Sequence, residues 1–520
     1  MSAHFDIIVI GSGAGGATLA QRLAATGKTI LILERGEHLP READNWSAKA
    51  VFLDRKYRTT EQWIDRQSRP FTPNTHYWVG GNTTFYGAAL LRFRPSDFEE
   101  VRHAGGVSPA WPISYQDLKP WYDEAETLWR VHGQRGVDPS EAPGDPAYVY
   151  PAVTNDPGIA KLKTHLEQQG WKPFSLPLAV NLDEAHPLKS ACIRCKTCGG
   201  YPCLLKAKSD ARTIAVEPLL ELGNVTLLTG RKVIRLETDD SGKTVREVVC
   251  ATVEGEERWS ADLIVLAAGA VNSALILQAS ANATHPDGLA NGSGQVGRNY
   301  MFHTLTAVVS LTLDPLDAAF PKTLAVNDFY HGDPQGGFDT PMGHIQLLEY
   351  MSGQTLEGEI SDWLPPALMP SALFNATAAR LLSFLVISED LPSPDNRVRR
   401  LPDGRIMLDY QHNNLEGHER LVSKLERALD GFTDQTHRLS QHHFQLDSLL
   451  PLYGTAHQCG TVRMGADPKS SVVDANCKAW ELDNLYMVDT GVFVSSAAVN
   501  PTLTLVANAM RVAEHLKQRL

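Results

Sequence analysis

The chain has 520 residues, with 48 Lys and Arg against 60 Asp and Glu, a formal net charge of −12. This acidic balance argues against nucleic acid as a partner, and the 43% hydrophobic content is that of an ordinary soluble enzyme. No apolar run approaches the roughly 18 residues of a membrane span, so none is expected. Because the first strand begins by Phe5, no room is left for a targeting leader, and we expect a cytoplasmic protein.

The N-terminal segment predicts a strand, a turn, a helix and a second strand. An apolar run at residues 6–10 leads into Gly11-Ser12-Gly13-Ala14-Gly15-Gly16, a helical pattern follows, and a second apolar run covers residues 29–33. Gly-x-Gly-x-x-Gly between a strand and a helix is typical of the phosphate-binding turn of dinucleotide folds. The alternative is an ordinary glycine-rich turn in a βαβ unit.

In a dinucleotide site, each glycine of this turn has a physical role. Gly11 allows the tight turn, Gly13 lets the backbone approach a pyrophosphate, and Gly16 lets the helix pack closely on the strand. The N-terminus of the helix presents free N–H groups and a positive dipole end to the phosphates. Glu34, at the end of the second strand, is placed to accept hydrogen bonds from an adenosine ribose.

Further along, residues 37–75 are polar and predict helix and loop that cover this unit. Next comes Gly80-Gly81-Asn82-Thr83-Thr84, whose paired glycines and small hydroxyl residues suit a backbone pressed against a flat ligand. An ordinary glycine turn between helices is the alternative. Residues 134–158 are rich in Pro, Gly and Asp and predict a surface excursion.

The middle of the chain predicts a return to the first sheet. Strands are expected at residues 225–228 and 232–237, as a hairpin, and at 247–253. A fully buried strand then ends on Ala268-Gly269, long after the first unit, and a helix follows. A strand that rejoins the same sheet so late is typical of FAD-binding folds rather than of NAD-binding domains.

The C-terminal segment carries the candidate catalytic residues. His457 lies in a glycine-bounded loop, although a single loop histidine is more often solvated or structural. A short strand ends on Asp489-Thr490, which suits a ribityl or phosphate contact. Asn500 and Pro501 then predict a helix start, with Asn500 as N-cap and Pro501 as first helical residue. Simple capping is the alternative role of Asn500.

Together these motifs resemble the glucose–methanol–choline family of FAD-dependent oxidoreductases. The N-terminal unit, the Gly80 loop, Trp111-Pro112-Ile113, residues 268–277 and 294–299 and the two C-terminal segments occur in family order along nearly the whole chain. The resemblance implies an α/β (α+β overall) fold, in which a Rossmann-like FAD-binding domain is interleaved with a substrate domain built on a mostly antiparallel sheet.

The resemblance also implies domain bounds. Residues 1–304 are expected to form the FAD-binding domain, with insertions at about 37–75 and 134–210. Residues 305–450 are expected to bind substrate, and residues 451–520 return to the FAD-binding domain with the active-site residues. The segment that precedes Asn500 departs from the commoner family pattern, so it predicts nothing about the substrate pocket.

Residue by residue, the resemblance implies that His457 is the active-site base and Asn500 its partner on the substrate hydroxyl. Phe85 stands where some members attach FAD covalently through a histidine, so non-covalent FAD is expected. The implied cofactor contacts are Gly11, Gly13, Ala14, Gly15, Gly16, Glu34, Arg35, Gly80, Gly81, Asn82, Thr83, Val233 (at the adenine), Ala268, Gly269, Asp489, Thr490, Asn500, Pro501 and Thr502.

A dense cysteine cluster, Cys192-x2-Cys195-x2-Cys198-x4-Cys203, has a spacing near that of iron–sulfur ligands but not equal to it. Some dehydrogenases of the family carry an iron–sulfur cluster in this neighbourhood. Structural zinc, a redox disulfide and a packed thiol-rich loop are the alternatives.

The predicted function is therefore FAD-dependent oxidation of an alcohol group of a sugar, glycoside or polyol, by hydride transfer to flavin N5. Three alternatives stay open: an iron–sulfur-linked dehydrogenase that passes electrons to a protein partner, a non-redox lyase on the same fold, and a flavin-binding redox sensor. The sequence predicts neither the electron acceptor nor the oligomeric state.

Overall fold

The computed structural model describes residues 4–312, 314–360, 370–439, 449–454 and 456–520. Its helices are α1 (Ala14–Ala24), α2 (Tyr115–Leu128), α3 (Pro157–Gln168), α4 (Glu217–Leu219), α5 (Ala270–Ala279), α6 (Gly353–Ile360), α7 (Ser371–Ala378), α8 (Leu415–Ala428) and α9 (Thr502–Lys517). Its strands are β1 (His4–Ile10), β2 (Ile30–Leu33), β3 (Trp63–Asp65), β4 (Pro70–Phe71), β5 (Val101–His103), β6 (Gly106–Ser108), β7 (Val131–Gly133), β8 (Tyr150–Pro151), β9 (Phe174–Ser175), β10 (Leu178–Ala179), β11 (Val225–Leu228), β12 (Lys232–Thr238), β13 (Val245–Thr252), β14 (Gly255–Leu266), β15 (Thr304–Thr312), β16 (Leu324–Val326), β17 (His344–Leu347), β18 (Leu381–Ser388), β19 (Arg397–Arg400), β20 (Ile406–Asp409), β21 (Thr433–Leu439) and β22 (Leu485–Met487).

The first sheet has the strand order β11-β2-β1-β14-β13-β12, and β22 pairs with the C-terminal half of β14. Strands β11, β2, β1 and β22 run parallel to their neighbours, with Ile8 opposite Ile264. Ile7, Ile8 and Val9 are fully buried, as a parallel strand covered on both faces requires. The late return of the chain to this sheet, through β14 and β22, is confirmed.

One strand pairing was predicted wrongly. β11 does not form a hairpin with β12; it lies at the sheet edge, parallel to β2, with Val225 opposite Ile30. β12 pairs instead with β13, antiparallel. Local spacing favoured the hairpin, but β2 has an open edge whose N–H and C=O groups β11 satisfies.

Helix α9 holds the C-terminal segment against the first sheet by packing on α1 and α2. Its buried face includes Leu503, Val506 and Met510. The hydroxyl groups of Tyr122 on α2 and Thr504 on α9 form a hydrogen bond of 2.7 Å. These contacts place the residues just before α9 beside the N-terminal turn.

The second sheet has the order β21-β15-β18-β17-β16-β9 and is antiparallel throughout its described pairs. Helices α3 and α8 contribute Leu162, Leu166, Leu421 and Leu425 to one apolar core with it. The α/β fold class with a mostly antiparallel second sheet is therefore confirmed. β9 comes from the first 304 residues, so the two regions exchange segments.

A smaller mixed sheet, β19-β20-β3-β4, joins distant segments. β3 pairs in parallel with β20, with Trp63 opposite Ile406. The helix and loop predicted for residues 37–75 are thus incomplete, because a strand whose partner lies more than three hundred residues away leaves no local signal. None of the helices in the described part of the chain has the length and apolar character needed to cross a membrane.

The C-terminal ends of the parallel strands meet at one edge of the first sheet. Gly11 follows β1, Glu34 follows β2, Gly269 lies shortly after β14 and Asp489 shortly after β22. In open α/β sheets, ligands bind in the crevice outside these ends.

Candidate active site

A cavity of about 810 Å³ opens at this edge of the first sheet. Its volume falls within the roughly 300–1,000 Å³ typical of ligand and cofactor sites. The predicted residues that line it are Gly11, Gly13, Ala14, Gly15, Glu34, Arg35, Gly81, Asn82, Thr83, Val233, Ala268, Gly269, His457, Asp489, Thr490, Pro501 and Thr502. Segments from both ends of the chain therefore meet around one cavity.

Three predicted residues, Gly16, Gly80 and Asn500, are not part of the wall. A Cβ on Gly16 would lie 2.3 Å from the Gly11 carbonyl oxygen, so Gly16 serves the close packing of α1 on the sheet. Gly80 has a φ of +95°, and its N–H donates to Ser12 Oγ over 3.1 Å. Both glycines shape the wall from behind.

The glycine turn is open only where a ligand would need space. Gly11 has a φ of +103°, and a Cβ there would lie 2.4 Å from the Ala267 carbonyl oxygen. A Cβ on Gly15 would lie 2.0 Å from the Val488 carbonyl oxygen. A Cβ on Gly13 would meet nothing within 4 Å, so its backbone faces free space in the cavity.

Glu34 is held by a network that sequence reasoning missed. One carboxylate oxygen accepts from the Ser12 N–H at 3.0 Å and the Ser12 hydroxyl at 2.7 Å, and the other accepts from the Gly36 N–H at 2.8 Å. Ser12 is fully buried. Ser12, a variable position of the glycine motif, therefore links β1, β2 and the Gly80 loop.

Arg35 is fixed by residues that the sequence did not mark. Its guanidinium lies 3.4 Å from the centre of the Tyr77 ring and 3.4 Å from Glu61 Oε1, and Tyr77 donates its hydroxyl to Glu61 at 2.6 Å. Burial would raise the pKa of Glu61, but the charge of Arg35 and the Tyr77 hydrogen bond lower it overall. Tyr77 and Glu61 also line the cavity; the position of Tyr77, just before the Gly80 loop, was the only available signal.

Asp489 locks three segments together. Its carboxylate accepts from the N–H of Gly269 at 3.0 Å, the hydroxyl of Ser273 at 2.5 Å and the N–H of Gly491 at 2.8 Å. Burial raises the pKa of this carboxyl group. The ends of β14 and β22 and the start of α5 are thereby held in one arrangement.

His457 also lines the cavity, and its side chain is partly exposed there. The surrounding protein removes most of its water, and this desolvation lowers the pKa of His457 to about 4. The imidazole is therefore neutral near pH 7 and can accept a proton.

His303 is a fully buried histidine beside His457, and sequence reasoning missed it. Its ring stands edge-on to the His457 ring, with centroids 5.1 Å apart, and its Nδ1 lies 3.1 Å from the Ala497 carbonyl oxygen. Burial, and next the nearby His457, lower the pKa of His303 far below its usual range. It stands before β15, where no motif or spacing marks it.

Asp390 ties His303 to the segment before α9. Its buried carboxylate accepts from the N–H groups of Phe302 at 3.2 Å and His303 at 3.1 Å, and from Ser496 Oγ at 3.2 Å. Burial raises the pKa of Asp390 to about 6. The arrangement positions residues 495–500 relative to His303 and, through it, to His457.

The predicted N-cap role of Asn500 is wrong. α9 starts at Thr502, its cap residue is Pro501, and the cap has no side-chain hydrogen bond. Asn500 is 8% exposed, and its Oδ1 has no hydrogen-bond partner among the described residues. A buried amide oxygen left unsatisfied is costly in a native structure, so Asn500 Oδ1 is available to a ligand.

Comparison with known proteins identifies this arrangement. Residues 405–509 match the family described as GMC oxidoreductase, and residues 6–296, more than half of the chain, match the family described as FAD dependent oxidoreductase. The chain belongs to the GMC family of FAD-dependent oxidoreductases. Enzymes of this type act on CH–OH groups as oxidases or dehydrogenases.

Two curated relatives of this GMC oxidoreductase come from Streptomyces. The 6'''-hydroxyparomomycin C oxidase of Streptomyces lividus is 32% identical over 99% of this chain and 92% of its own length. The paromamine 6'-oxidase of Streptomyces fradiae is 32% identical over 98% and 91%. The crystal structure of a pyridoxine 4-oxidase from Mesorbium loti superposes with a TM-score of 0.68 at 19% identity, over 99% of both chains, which shows the shared fold.

In this GMC oxidoreductase, Phe85 lies behind the cavity wall. Its ring stacks on that of His76, with centroids 3.9 Å apart and an interplanar angle of 13°. His76 does line the cavity, and burial lowers its pKa to about 4. A neutral histidine thus stands between Phe85 and the cavity.

The iron–sulfur alternative finds no support. In the described ranges, which include all seven cysteines, no group of three or more His, Cys, Asp or Glu side chains is arranged to hold a metal ion. All seven cysteines are free thiols. Cys192 is the most buried of the four clustered ones, and desolvation raises its pKa to about 11.

Proposed function

We propose that this GMC oxidoreductase oxidises a CH–OH group of a sugar, glycoside or polyol, with His457 as the base. The observation that carries the proposal is that a neutral imidazole opens on the same cavity as the glycine turn, Glu34 and the start of α9. A dinucleotide site that ends at a base suits the removal of a hydroxyl proton.

The wall residues fit FAD. The open backbone at Gly13 and the N-terminus of α1 suit the pyrophosphate, and Glu34 suits the ribose. Val233 would meet the adenine, and Gly81, Asn82, Thr83 and Thr490 would hold the flavin portion. In this proposal, residues 1–304 and 451–520 form the FAD-binding domain and residues 305–450 the substrate domain.

Bound FAD supplies the acceptor for the hydride that leaves the carbinol carbon. His457 accepts the hydroxyl proton on an imidazole nitrogen, which it can do because it is neutral. Asn500 binds the same hydroxyl oxygen through its side-chain amide and so restricts the orientation of the substrate. The N-terminus of α9, where Pro501 and Thr502 line the cavity, presents a positive dipole end that stabilises negative charge.

The relatives support a polyol substrate. The two Streptomyces enzymes are named as oxidases of paromamine and of 6'''-hydroxyparomomycin C, and a further relative is named 2-methyl-1,2-propanediol dehydrogenase, at 26% identity over 99% of this chain. We therefore place amino sugars such as paromamine, simple sugars and diols at the head of a substrate panel.

The test is anaerobic mixing of the purified FAD-loaded protein with this panel, followed by the visible flavin absorbance. At least one hydroxyl substrate should bleach the flavin, and His457→Ala should slow the bleaching about 10³-fold with FAD still bound. His515→Ala is the matched control, because His515 is partly buried on α9 but does not line the cavity. Readmitted air that restores the flavin bands would indicate an oxidase; flavin that stays reduced would indicate another acceptor.

Two results would contradict the proposal. One is flavin bleaching in the His457→Ala variant at the wild-type rate, which would show that His457 is not the base. The other is a panel in which no hydroxyl compound bleaches the flavin while a cyanohydrin is cleaved, which would favour the lyase alternative.

We also propose that the FAD is not covalently attached, because Phe85 occupies the attachment position. Acid precipitation of the holoprotein should leave the flavin in the supernatant. Flavin that remains with the precipitate would contradict this proposal. Peptide mapping would then test His76 as the attachment site.

A further inference from the structure

Two lysines are buried between the cysteine loop, residues 192–203, and the loop that follows Gly81. Lys208 is 1% exposed and Lys322 is 2% exposed. Lys208 Nζ donates to the main-chain carbonyl oxygens of Tyr86 at 2.9 Å, Cys198 at 2.7 Å and Tyr201 at 2.7 Å. Its hydrogen-bonding capacity is thus taken up by neutral oxygens, and burial lowers its pKa.

Lys322 has two side-chain partners instead. Its Nζ donates to the Gly87 carbonyl oxygen at 2.5 Å and to Cys198 Sγ at 3.1 Å, and it lies 3.4 Å from Glu349 Oε1. Burial would lower the pKa of Lys322, but Cys198 and Glu349 raise it overall. The sulfur is the nearer of the two side-chain partners.

The charges of this pocket favour an anionic sulfur. Two buried ammonium groups face one carboxylate in direct contact, that of Glu349, whose side chain is 22% exposed. Asp210 and the other three clustered thiols lie farther away, and Tyr86 keeps its proton because burial raises its pKa. Buried charge needs a counter-charge, and an adjacent ammonium favours the thiolate form of a cysteine.

We infer that Cys198 is a reactive thiolate, stabilised by the ammonium of Lys322, and a site of oxidation by hydrogen peroxide. Cys198 is half-buried, as are Cys195 and Cys203, whereas Cys192, Cys250, Cys459 and Cys477 are buried. The sulfur attacks one peroxide oxygen, the S–O bond forms and the O–O bond breaks. Sulfur loses two electrons to give a sulfenic acid, and the other oxygen leaves as hydroxide, which takes up a proton.

The modified residue would adjoin the cofactor wall. Lys208 binds the carbonyl oxygens of both Cys198 and Tyr86, and the Gly200 N–H donates to the Phe85 carbonyl oxygen at 2.8 Å. The cysteine loop is thereby fastened to the loop that carries Gly81, Asn82 and Thr83.

The first experiment measures alkylation of each cysteine in the FAD-loaded protein. Iodoacetamide is added between pH 5 and 9, and labelling is quantified by peptide mass spectrometry. Cys198 should react fastest at pH 7, and Lys322→Met should slow it about tenfold or more. Lys206→Met is the matched control, because Lys206 is exposed in the same segment and pairs with Glu217. Cys198 labelling equal to that of Cys203, or unchanged by Lys322→Met, would overturn the inference.

Glu349→Gln covers the case in which Lys322→Met does not fold. Removing this carboxylate leaves Cys198 as the only close counter-charge of Lys322, so labelling at pH 7 should rise. In a second readout, the wild-type protein is treated with hydrogen peroxide in the presence of dimedone. A dimedone adduct on Cys198 is expected, and peroxide-treated protein whose Cys198 carries no adduct and stays fully alkylatable would overturn the assignment.

Discussion

The glycine turn, here called the cofactor end of the site, and the segment before α9, here called the reacting end, differ in how their buried polar groups are hydrogen-bonded. At the glycine turn, both carboxylate oxygens of Glu34 are occupied by Ser12 and Gly36, and Gly80 is bound in turn to Ser12. At the reacting end, Asn500 lies just before the wall residues Pro501 and Thr502, and its Oδ1 is buried without a partner among the described residues. The polar groups of the cofactor end are hydrogen-bonded within the protein, whereas the reacting end keeps an amide oxygen available to a ligand.

This difference follows from what each end has to do. In the proposed function, the cofactor end binds a ribose and a pyrophosphate without transforming them, so a rigid wall that is satisfied in advance loses little entropy on binding. A reacting hydroxyl must exchange hydrogen bonds during the reaction, so its partners cannot be committed elsewhere. Changes at the first end should therefore act on stability and cofactor retention, and changes at the second on rate.

The largest expected effect on stability is that of Gly15→Ala in the glycine turn. Its Cβ would meet the Val488 carbonyl oxygen at 2.0 Å, and backbone cannot move aside cheaply. We expect a loss of about 3 kcal/mol in the free energy of unfolding, measured by urea denaturation. Gly13→Ala is the matched control, because its Cβ would meet no protein atom; it should keep stability and lose FAD affinity. Equal stability of the two variants would contradict this account.

Next comes Asn500→Ala at the reacting end. Because Asn500 does not cap α9, the free energy of unfolding should stay within about 0.5 kcal/mol of wild type. The anaerobic flavin-reduction rate should fall about 10–100-fold, since the substrate oxygen loses an orienting partner. If Asn500→Ala is destabilised but its flavin is reduced by substrate at the wild-type rate, Asn500 acts as a helix cap after all.

Ser12→Ala should have a smaller effect, and again on stability. It removes the hydroxyl donor to Glu34 and the acceptor of the Gly80 N–H, which costs about 1–2 kcal/mol. Thermal or urea unfolding measures it, with Ser241→Ala as the control, because Ser241 is exposed and its hydroxyl binds only Asp239 and the Lys243 N–H of its own turn. If both variants unfold alike, the Ser12 network contributes nothing to stability.

The smallest effect is expected from pH within the ordinary working range. Desolvation lowers the pKa of His457 to about 4, so the base is neutral above this value and protonated below it. The rate constant of flavin reduction by substrate should therefore be flat from about pH 5.5 to 8 and fall as the pH drops toward 4. Stopped-flow measurements check this; a rate that already halves near pH 6.5 would mean that the imidazole is not desolvated.

The sequence alone determined most of the cofactor end. The glycine turn, Glu34 and the late strand that ends on Ala268-Gly269 are local patterns, because the tight turn and the buried parallel strands each need particular residues at fixed spacing. The same reasoning brought His457, Asp489 and Asn500 forward, through the order of motifs along the chain. These residues remain predictions as site residues, although the structure places His457 and Asp489 in one cavity wall.

Only the tertiary structure decided which polar groups are satisfied. Ser12 and Glu61 become partners of Glu34 and Arg35 through contacts between distant segments, and His303 reaches His457 because Asp390 holds it there. The pairing of β11 with β2, rather than with β12, depends on an open edge that no local pattern shows. Burial and hydrogen bonding between remote segments are properties of the packed chain, so they cannot be predicted from the spacing of residues in the sequence.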